Sequence, residues 1–275
     1  MKKHGTTVIL LIVLIAGLSL LLYPTLANWW NSMTQSRAVA SYVEAVSKID
    51  EEQYARLWNE ALDYNRSLTN RSNDYLLTGS QKSTYENILD IGGLGIMGYI
   101  EVPSIGVTLP IYHGTDETVL QVAIGHLEWT SLPVGGKSSH CVVSGHRGLP
   151  SARLFTDLDK VVVGDIFMIR VLDEILTYEV DQILIVEPHE TEALQIVEGE
   201  DLCTLITCTP YGVNSHRLLV RGHRVENQEM AATVRVTADA TQIEPAIVAP
   251  ILAIPMLLAL LIGLLIPKPG RRRFD

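Results

Sequence analysis

Sulfur, aromatic rings and positive charge are all scarce in this chain of 275 residues. There are three cysteines, 6% aromatic residues, and 21 Lys plus Arg against 31 Asp plus Glu. Cys141, Cys203 and Cys208 contain no C-x-x-C pair, and three thiols cannot all be paired with one another, so neither a zinc knuckle nor a disulfide framework is favoured. The shortage of positive charge is concentrated in the middle. Between Asn31 and Pro245 lie 30 of the 31 acidic residues but only 15 basic ones. A region so acidic offers no cluster of Lys and Arg for phosphates, which argues against nucleic acid as a partner. Only 19% of the residues are charged and the mean hydropathy is +0.21, which excludes a disordered chain and a collagen-like one.

What the chain does have is two long uncharged runs, Val8 to Leu22 and Ala246 to Ile266. The second, at helical rise, extends about 31 Å and matches the hydrocarbon core of a bilayer. It is followed by Lys268, Arg271, Arg272 and Arg273, a cytoplasmic flank by the positive-inside rule. The first follows Lys2 and Lys3. It reads either as a cleaved signal peptide, with Thr25 and Ala27 as small residues near a cleavage site, or as an uncleaved anchor with Tyr23, Trp29 and Trp30 in the interfacial belt. Both readings place the acidic middle outside the cell, and the uncleaved anchor puts both termini in the cytoplasm.

The expected organisation is a basic end and N-terminal anchor or signal over 1–30, a helical extension over 31–96, a catalytic barrel over 97–226, a linker over 227–245, a second span over 246–266 and a basic tail over 267–275. In the extension, Val39, Tyr42, Val43, Val46 and Ile49 recur at helical spacing, and Asp50 with Gln53 resembles a capping box that starts a second helix. Thr69 to Gly95 loses periodicity and reads as a mobile connector or flap. Beyond it the texture becomes β-type: 98–102, 107–112, 140–144, 165–171, 175–186, 202–207 and 216–224, with short helices expected over 117–124, 152–158 and 190–197. Strands outnumber helices and do not alternate with them, which favours a mostly β barrel or sandwich with peripheral short helices over a parallel α/β sheet.

Cys208 ends an apolar run and precedes Thr209-Pro210-Tyr211-Gly212, a turn signal, so its thiol is presented at a sheet rim. Cys141 and Cys203 sit inside apolar runs and read as small buried hydrophobes. Because 203 and 208 differ by an odd number, the two side chains face opposite sides of a regular strand, and Cys208 is the best nucleophile of the three. A thiol nucleophile needs a proton acceptor and a group to hold the oxyanion. Among eight histidines, His146 stands at a strand-to-turn junction in Ser-Gly-His-Arg-Gly, and His126 in Gly-His-Leu-Glu-Trp is a weaker rival. Arg217 and Arg221, four apart on the strand after Cys208, share one face, and either one suits an oxyanion.

The segment Thr204-Leu205-Ile206-Thr207-Cys208-Thr209-Pro210-Tyr211-Gly212, followed by His216-Arg217-Leu218-Leu219-Val220-Arg221-Gly222, resembles the signature of the sortases, specifically the class C or pilin-polymerising type. Ser144-Gly145-His146-Arg147-Gly148 resembles the family's histidine motif, and the block Gly125 to Gly136 is similar to another one typical of that class. The resemblance covers roughly Gly98 to Val225, and the two-span layout fits it.

The resemblance implies a sortase-type β-barrel and a cysteine transpeptidase, with Cys208 as nucleophile, His146 as acid/base and Arg217 as the oxyanion or substrate-positioning residue. It implies an LPXTG-like sorting signal cleaved between Thr and Gly, and transfer of the acyl group to a pilin lysine. The competing readings are attachment of surface proteins to a peptidoglycan amine, and an exported cysteine protease. Many class C enzymes resemble one another in a lid carrying Asp-Pro-aromatic. Here the region offers Asn73-Asp74-Tyr75-Leu76 without proline, so Asp74 and Tyr75 are the lid candidates. The calcium site of some class A enzymes has no counterpart, so neither a metal nor another cofactor is expected.

Overall fold

The computed structural model of the chain describes residues 2–68 and 77–227, with side chains from Thr7 onward. The expected second span, the linker beyond Asn227 and the lid candidates Asp74 and Tyr75 lie outside the described residues.

The chain divides into a unit that includes residues up to Trp29 and a compact unit running from Trp30 to Ala231. Helix α1 covers Lys2–Val46 as one uninterrupted element. Among the described residues it is the one helix long and apolar enough to cross a membrane, and none of its most apolar window is buried. The helical spacing of Val39, Tyr42, Val43 and Val46 lies in its C-terminal part.

The remaining elements belong to the compact unit. Helix α2 (Glu51–Leu68) starts where the capping signal places it, with Asp50 Oδ1 accepting the Gln53 backbone N–H at 2.7 Å. Its buried residues Leu57, Ala61, Tyr64, Asn65 and Leu68 recur at helical spacing and form one face. The region read as a connector contains a further helix, α3 (Gly79–Asn87), whose single buried residue is Tyr85. A short polar helix with one apolar contact leaves no periodicity to read.

Eight strands follow: β1 (Ile96–Val102), β2 (Val107–His113), β3 (Ile124–His126), β4 (Ser139–Ser144), β5 (Ile166–Val171), β6 (Glu174–Val186), β7 (Asp201–Thr209) and β8 (His216–Val225). They close into a barrel in the order β1-β2-β3-β4-β7-β8-β6-β5. The β2–β3 and β4–β7 pairs are parallel and the others antiparallel. Seven strands coincide with the expected ones, and the three-residue β3 is additional. The helix expected over 117–124 stops at Leu120 as α4 (Glu117–Leu120), freeing Ile124 to begin β3. The other two expected helices shrink to 3-10 turns, Leu158–Lys160 and Glu192–Leu194, segments too short to repay helix nucleation.

Strand alternation sorts side chains into two populations. Cys141, Val143, Cys203, Leu205, Leu218 and Val220 belong to the main core, whereas Val142, Ile206 and Leu219 form a separate outer cluster with Leu194, against which Leu127, Trp129, Leu184, Val186 and Ala193 pack. The barrel wall is also tight where two backbones meet: a Cβ on Gly125 would sit 2.0 Å from the Gly114 carbonyl oxygen, so only glycine fits at this position of β3.

The helices are joined to the barrel through polar tips on apolar bodies. The Tyr42 hydroxyl donates to the Met97 carbonyl at 3.1 Å and accepts the Leu172 N–H at 2.8 Å. Tyr64 donates to the Glu128 carbonyl at 2.6 Å. The Asn65 amide does for Leu132 what a neighbouring strand would do, accepting its N–H at 2.7 Å and donating to its carbonyl at 3.1 Å. Tyr42, Leu57, Ala61, Tyr64 and Tyr85 are counted in the same core as the strands. Asn65→Ala leaves both Leu132 backbone groups buried without partners, a cost of about 1–3 kcal/mol, and the thermal midpoint of the purified protein falls accordingly.

His140 is buried on the outer side of β4, with Nδ1 against the Gln195 carbonyl at 2.8 Å and Nε2 against Thr204 Oγ1 at 2.7 Å. Burial disfavours its cation and brings its pKa down to about 4. Unfolding restores a value near 6.5, so below that pH the unfolded chain binds a proton that the folded chain refuses. The stability contributed by neutral His140 is therefore complete above about pH 6.5 and is lost progressively as pH falls towards 4, on the order of 2–3 kcal/mol in total. In denaturant melts, His140→Gln reduces the loss of stability between about pH 7 and about pH 5.

Candidate active site

Register alone assembles the site. In the antiparallel β7–β8 pair, Cys208 lies directly opposite Arg217, and residues directly opposite share a face. That face is the outer one, because Cys208 alternates with Ile206 and Arg217 with Leu219, and the Ile206–Leu219 rung belongs to the outer cluster. The apolar cover over this face reaches Ile206 and Leu219. One rung further on, Cys208 is only partly buried and its thiol is free.

The histidine arrives from the other side of β7. Strands β4 and β7 are parallel and pair from Ser139 with Asp201 to Ser144 with Ile206. Pairing continues past the strand end, since the Gly145 N–H donates to the Ile206 carbonyl at 3.0 Å and Thr207 Oγ1 donates to the Gly145 carbonyl at 2.8 Å. Advancing that register by two residues from Ser144–Ile206 puts His146 beside Cys208. The three expected residues thus come from three adjacent strand ends, with Cys208 in the middle.

Two residues expected as rivals are placed elsewhere. Arg221 is opposite Thr204, four residues along β8, and holds Asp181 through two hydrogen bonds of 3.0 and 2.8 Å. Arg217, in contrast, has no carboxylate partner among the described residues; its Nη1 donates to the Asn214 and His216 carbonyls at 3.3 and 3.2 Å. Arg217, opposite Cys208 in the register, thus carries a charge that no described carboxylate compensates. His126 is fully buried, with Nδ1 at 2.9 Å from the Tyr85 hydroxyl and Nε2 at 2.8 Å from the Ser131 carbonyl. A ring held at both nitrogens in the core cannot reach a substrate, so His126 is a core histidine rather than an alternative acid/base.

The structure adds a bracket that sequence reasoning missed. Arg147, next to His146, donates from Nη1 to Thr209 Oγ1 at 3.3 Å, and Thr209 is next to Cys208. Its guanidinium also pairs with Asp159 and lies over the Tyr211 ring, 5.9 Å from the centroid. The same ring is 2.9 Å from where a Cβ on Gly148 would stand, at φ +78°, so glycine is required there twice over. The loop after β4 and the loop after β7 are thereby tied to each other on the rim of the site. Arg147 and Tyr211 are 64 positions apart, and no spacing rule connects them; the only sequence signal was the adjacency of Arg147 to the selected histidine.

A thiol on the middle one of three strand ends that also carry an imidazole and a guanidinium, partly exposed among the described residues, is equipped for acyl transfer. No group of three or more His, Cys, Asp or Glu among the described residues is arranged to hold a metal ion.

Comparison with known proteins agrees with the barrel. The sortase domain family model matches residues 100–225. The crystal structure of sortase C1 from Streptococcus agalactiae is 52% identical, with a TM-score of 0.68, over 70% of this chain and 99% of that one. That of sortase C from Streptococcus pneumoniae is 44% identical, with a TM-score of 0.63, over 69% of this chain and 96% of that one. Among curated relatives, sortase A of Streptococcus agalactiae serotype III is 29% identical over 119 residues, which are 42% of this chain and 48% of that protein. The chain thus spans about half the length of this curated relative. With near-complete coverage of a solved sortase at 52% identity, on the same eight-stranded barrel, the chain belongs to the sortase family of cysteine transpeptidases, among the class C sortases.

Proposed function

We propose that the protein is a membrane-anchored class C sortase, which cleaves an LPXTG-like sorting signal between Thr and Gly and transfers the acyl group to a pilin lysine. The observation that carries this reading is the rung in which Cys208 faces Arg217 while the β4–β7 register brings His146 alongside. The pilin acceptor is supported by the similarity to sortase C1 of Streptococcus agalactiae and to the Streptococcus pneumoniae sortase C, a structure described in terms of pilin substrate specificity. The anchor is supported by the apolar, unburied stretch of α1, and the acidic region would then stand outside the membrane.

In this mechanism the Cys208 thiolate adds to the carbonyl carbon of the signal's Thr. The negative charge that develops on the oxygen is met by the Arg217 guanidinium, which is unpaired with any described carboxylate. Collapse of the adduct breaks the C–N bond to Gly, His146 gives the departing amine its proton, and a thioester remains on Cys208. The acceptor amine then loses a proton to His146 and attacks the thioester, releasing the thiol. A thioester keeps enough of the cleaved bond's free energy to acylate an amine without ATP, which suits a site on the outer surface. Arg147, through Thr209 and Tyr211, holds the histidine and cysteine loops at fixed separation.

Incubating the protein with an LPXTG-type peptide, with and without a lysine-bearing acceptor, tests the reading. The expected outcome is a thioester on Cys208 and an isopeptide product when acceptor is present; hydrolysis alone in its presence identifies a protease, and preference for a peptidoglycan stem amine identifies a cell-wall anchoring enzyme. Cys208→Ala and His146→Ala abolish transfer, and Arg217→Ala lowers kcat by about 10²–10³-fold through loss of the oxyanion donor. The lid role proposed for Asp74 and Tyr75 has its own measurement: with Asp74→Ala and Tyr75→Ala combined, a thiol reagent labels Cys208 faster, and an unchanged rate removes the lid from the mechanism.

A further inference from the structure

The two cysteines outside the site are themselves a matched pair. Cys141 on β4 and Cys203 on β7 are register partners in the parallel ladder, both turned into the barrel core and both essentially without solvent exposure. Cys203 and His126 are the neighbours that act on the Cys141 thiol. Both are free thiols. Adjacent strands run about 4.8 Å apart, within the window of about 4.4–6.8 Å between Cα atoms that a disulfide spans.

We propose that Cys141 and Cys203 are a redox-active thiol pair that closes to a disulfide inside the folded barrel when a peroxide-class oxidant reaches it. Each stands five residues before a member of the site, Cys141 before His146 and Cys203 before Cys208, so the bond staples together the two strands whose register sets the site. Cys141 is the initiating sulfur. Burial opposes its ionisation, but Cys203 and His126 beside it favour the thiolate and bring it down overall, while burial and the neighbouring Cys141 push Cys203 well up. The Cys141 sulfur attacks one peroxide oxygen, the O–O bond breaks, water departs and a sulfenic acid remains. The Cys203 sulfur then attacks the sulfenic sulfur, the S–O bond breaks, and the Cys203 proton leaves with the hydroxyl as a second water. Two thiols and one peroxide thus give one disulfide and two waters, with two electrons passing to the peroxide. The proposal does not depend on which substrate the outer site takes.

The experiment uses the full chain in detergent with Cys208→Ala, which leaves Cys141 and Cys203 as the only thiols. The folded protein is treated with hydrogen peroxide, then unfolded with iodoacetamide present, and examined by intact mass and by unreduced peptide mapping. The expected result is a loss of two hydrogens, no alkylation, and one peptide pair linked through Cys141 and Cys203 that separates on treatment with a phosphine reductant. A second variant, Cys203→Ala with Cys208→Ala, gives no linked peptide and carries oxygen on Cys141 instead. Full alkylation of both thiols after peroxide overturns the proposal. So does sulfinic or sulfonic acid on either cysteine without a linked peptide, or a linked peptide that forms only when peroxide is added after unfolding.

Discussion

The parallel pairing of β4 with β7 is the constraint on which the site depends. Parallel strands cannot be joined by a tight turn, and here the connection between them contains both β5 and β6. What that topology provides is a shared direction: both strands end at the same rim, so the loop after β4 and the loop after β7 open side by side. An antiparallel partner would have sent the histidine to the opposite end of the barrel. The third member arrives by the opposite device, since β8 runs back along β7 and its first residues fall beside the last ones of β7. Three short strand ends therefore deliver an imidazole, a thiol and a guanidinium to one edge with no insertion and no cofactor-binding domain.

Much of this was legible in the sequence, for reasons that particular residues make plain. The odd separation of Cys203 and Cys208 is sufficient to put one inward and one outward, because the period of a strand is two, and the structure keeps both cysteines on one regular strand. The seven longer strands carried enough β-branched and apolar residues to declare themselves. By contrast, β3 has three residues, one of which is glycine, and its pairing depends on Gly125 letting the Gly114 carbonyl approach. That is a tertiary fact with no local pattern. The helix α3 was hidden for a similar reason, its burial being invested in Tyr85 alone.

Within the site, spacing could not separate Arg217 from Arg221, as residues four apart share a face in a strand. What separates them is Asp181, which lies on a third strand and occupies one guanidinium. Nor could sequence demote His126 unaided. Its flanking glycine and its motif look as distinctive as those of His146, and only the Tyr85 hydroxyl, delivered from a helix 41 positions away, reveals a ring fully engaged in the core. His146 and His126 differ in what long-range contacts leave free, and such contacts are what a linear pattern lacks.

The Asn65 and tyrosine anchors carry a consequence for where the functional domain begins. The sortase domain model starts at residue 100, yet Tyr42, Leu57, Ala61, Tyr64 and Tyr85 contribute to the same apolar interior as the strands. A cut at that boundary would therefore remove one wall of the core and leave backbone groups of Met97, Leu172 and Leu132 without their partners. In that sense the helices before the barrel are its ninth side, and they set the limits within which a smaller working enzyme could be cut from this chain.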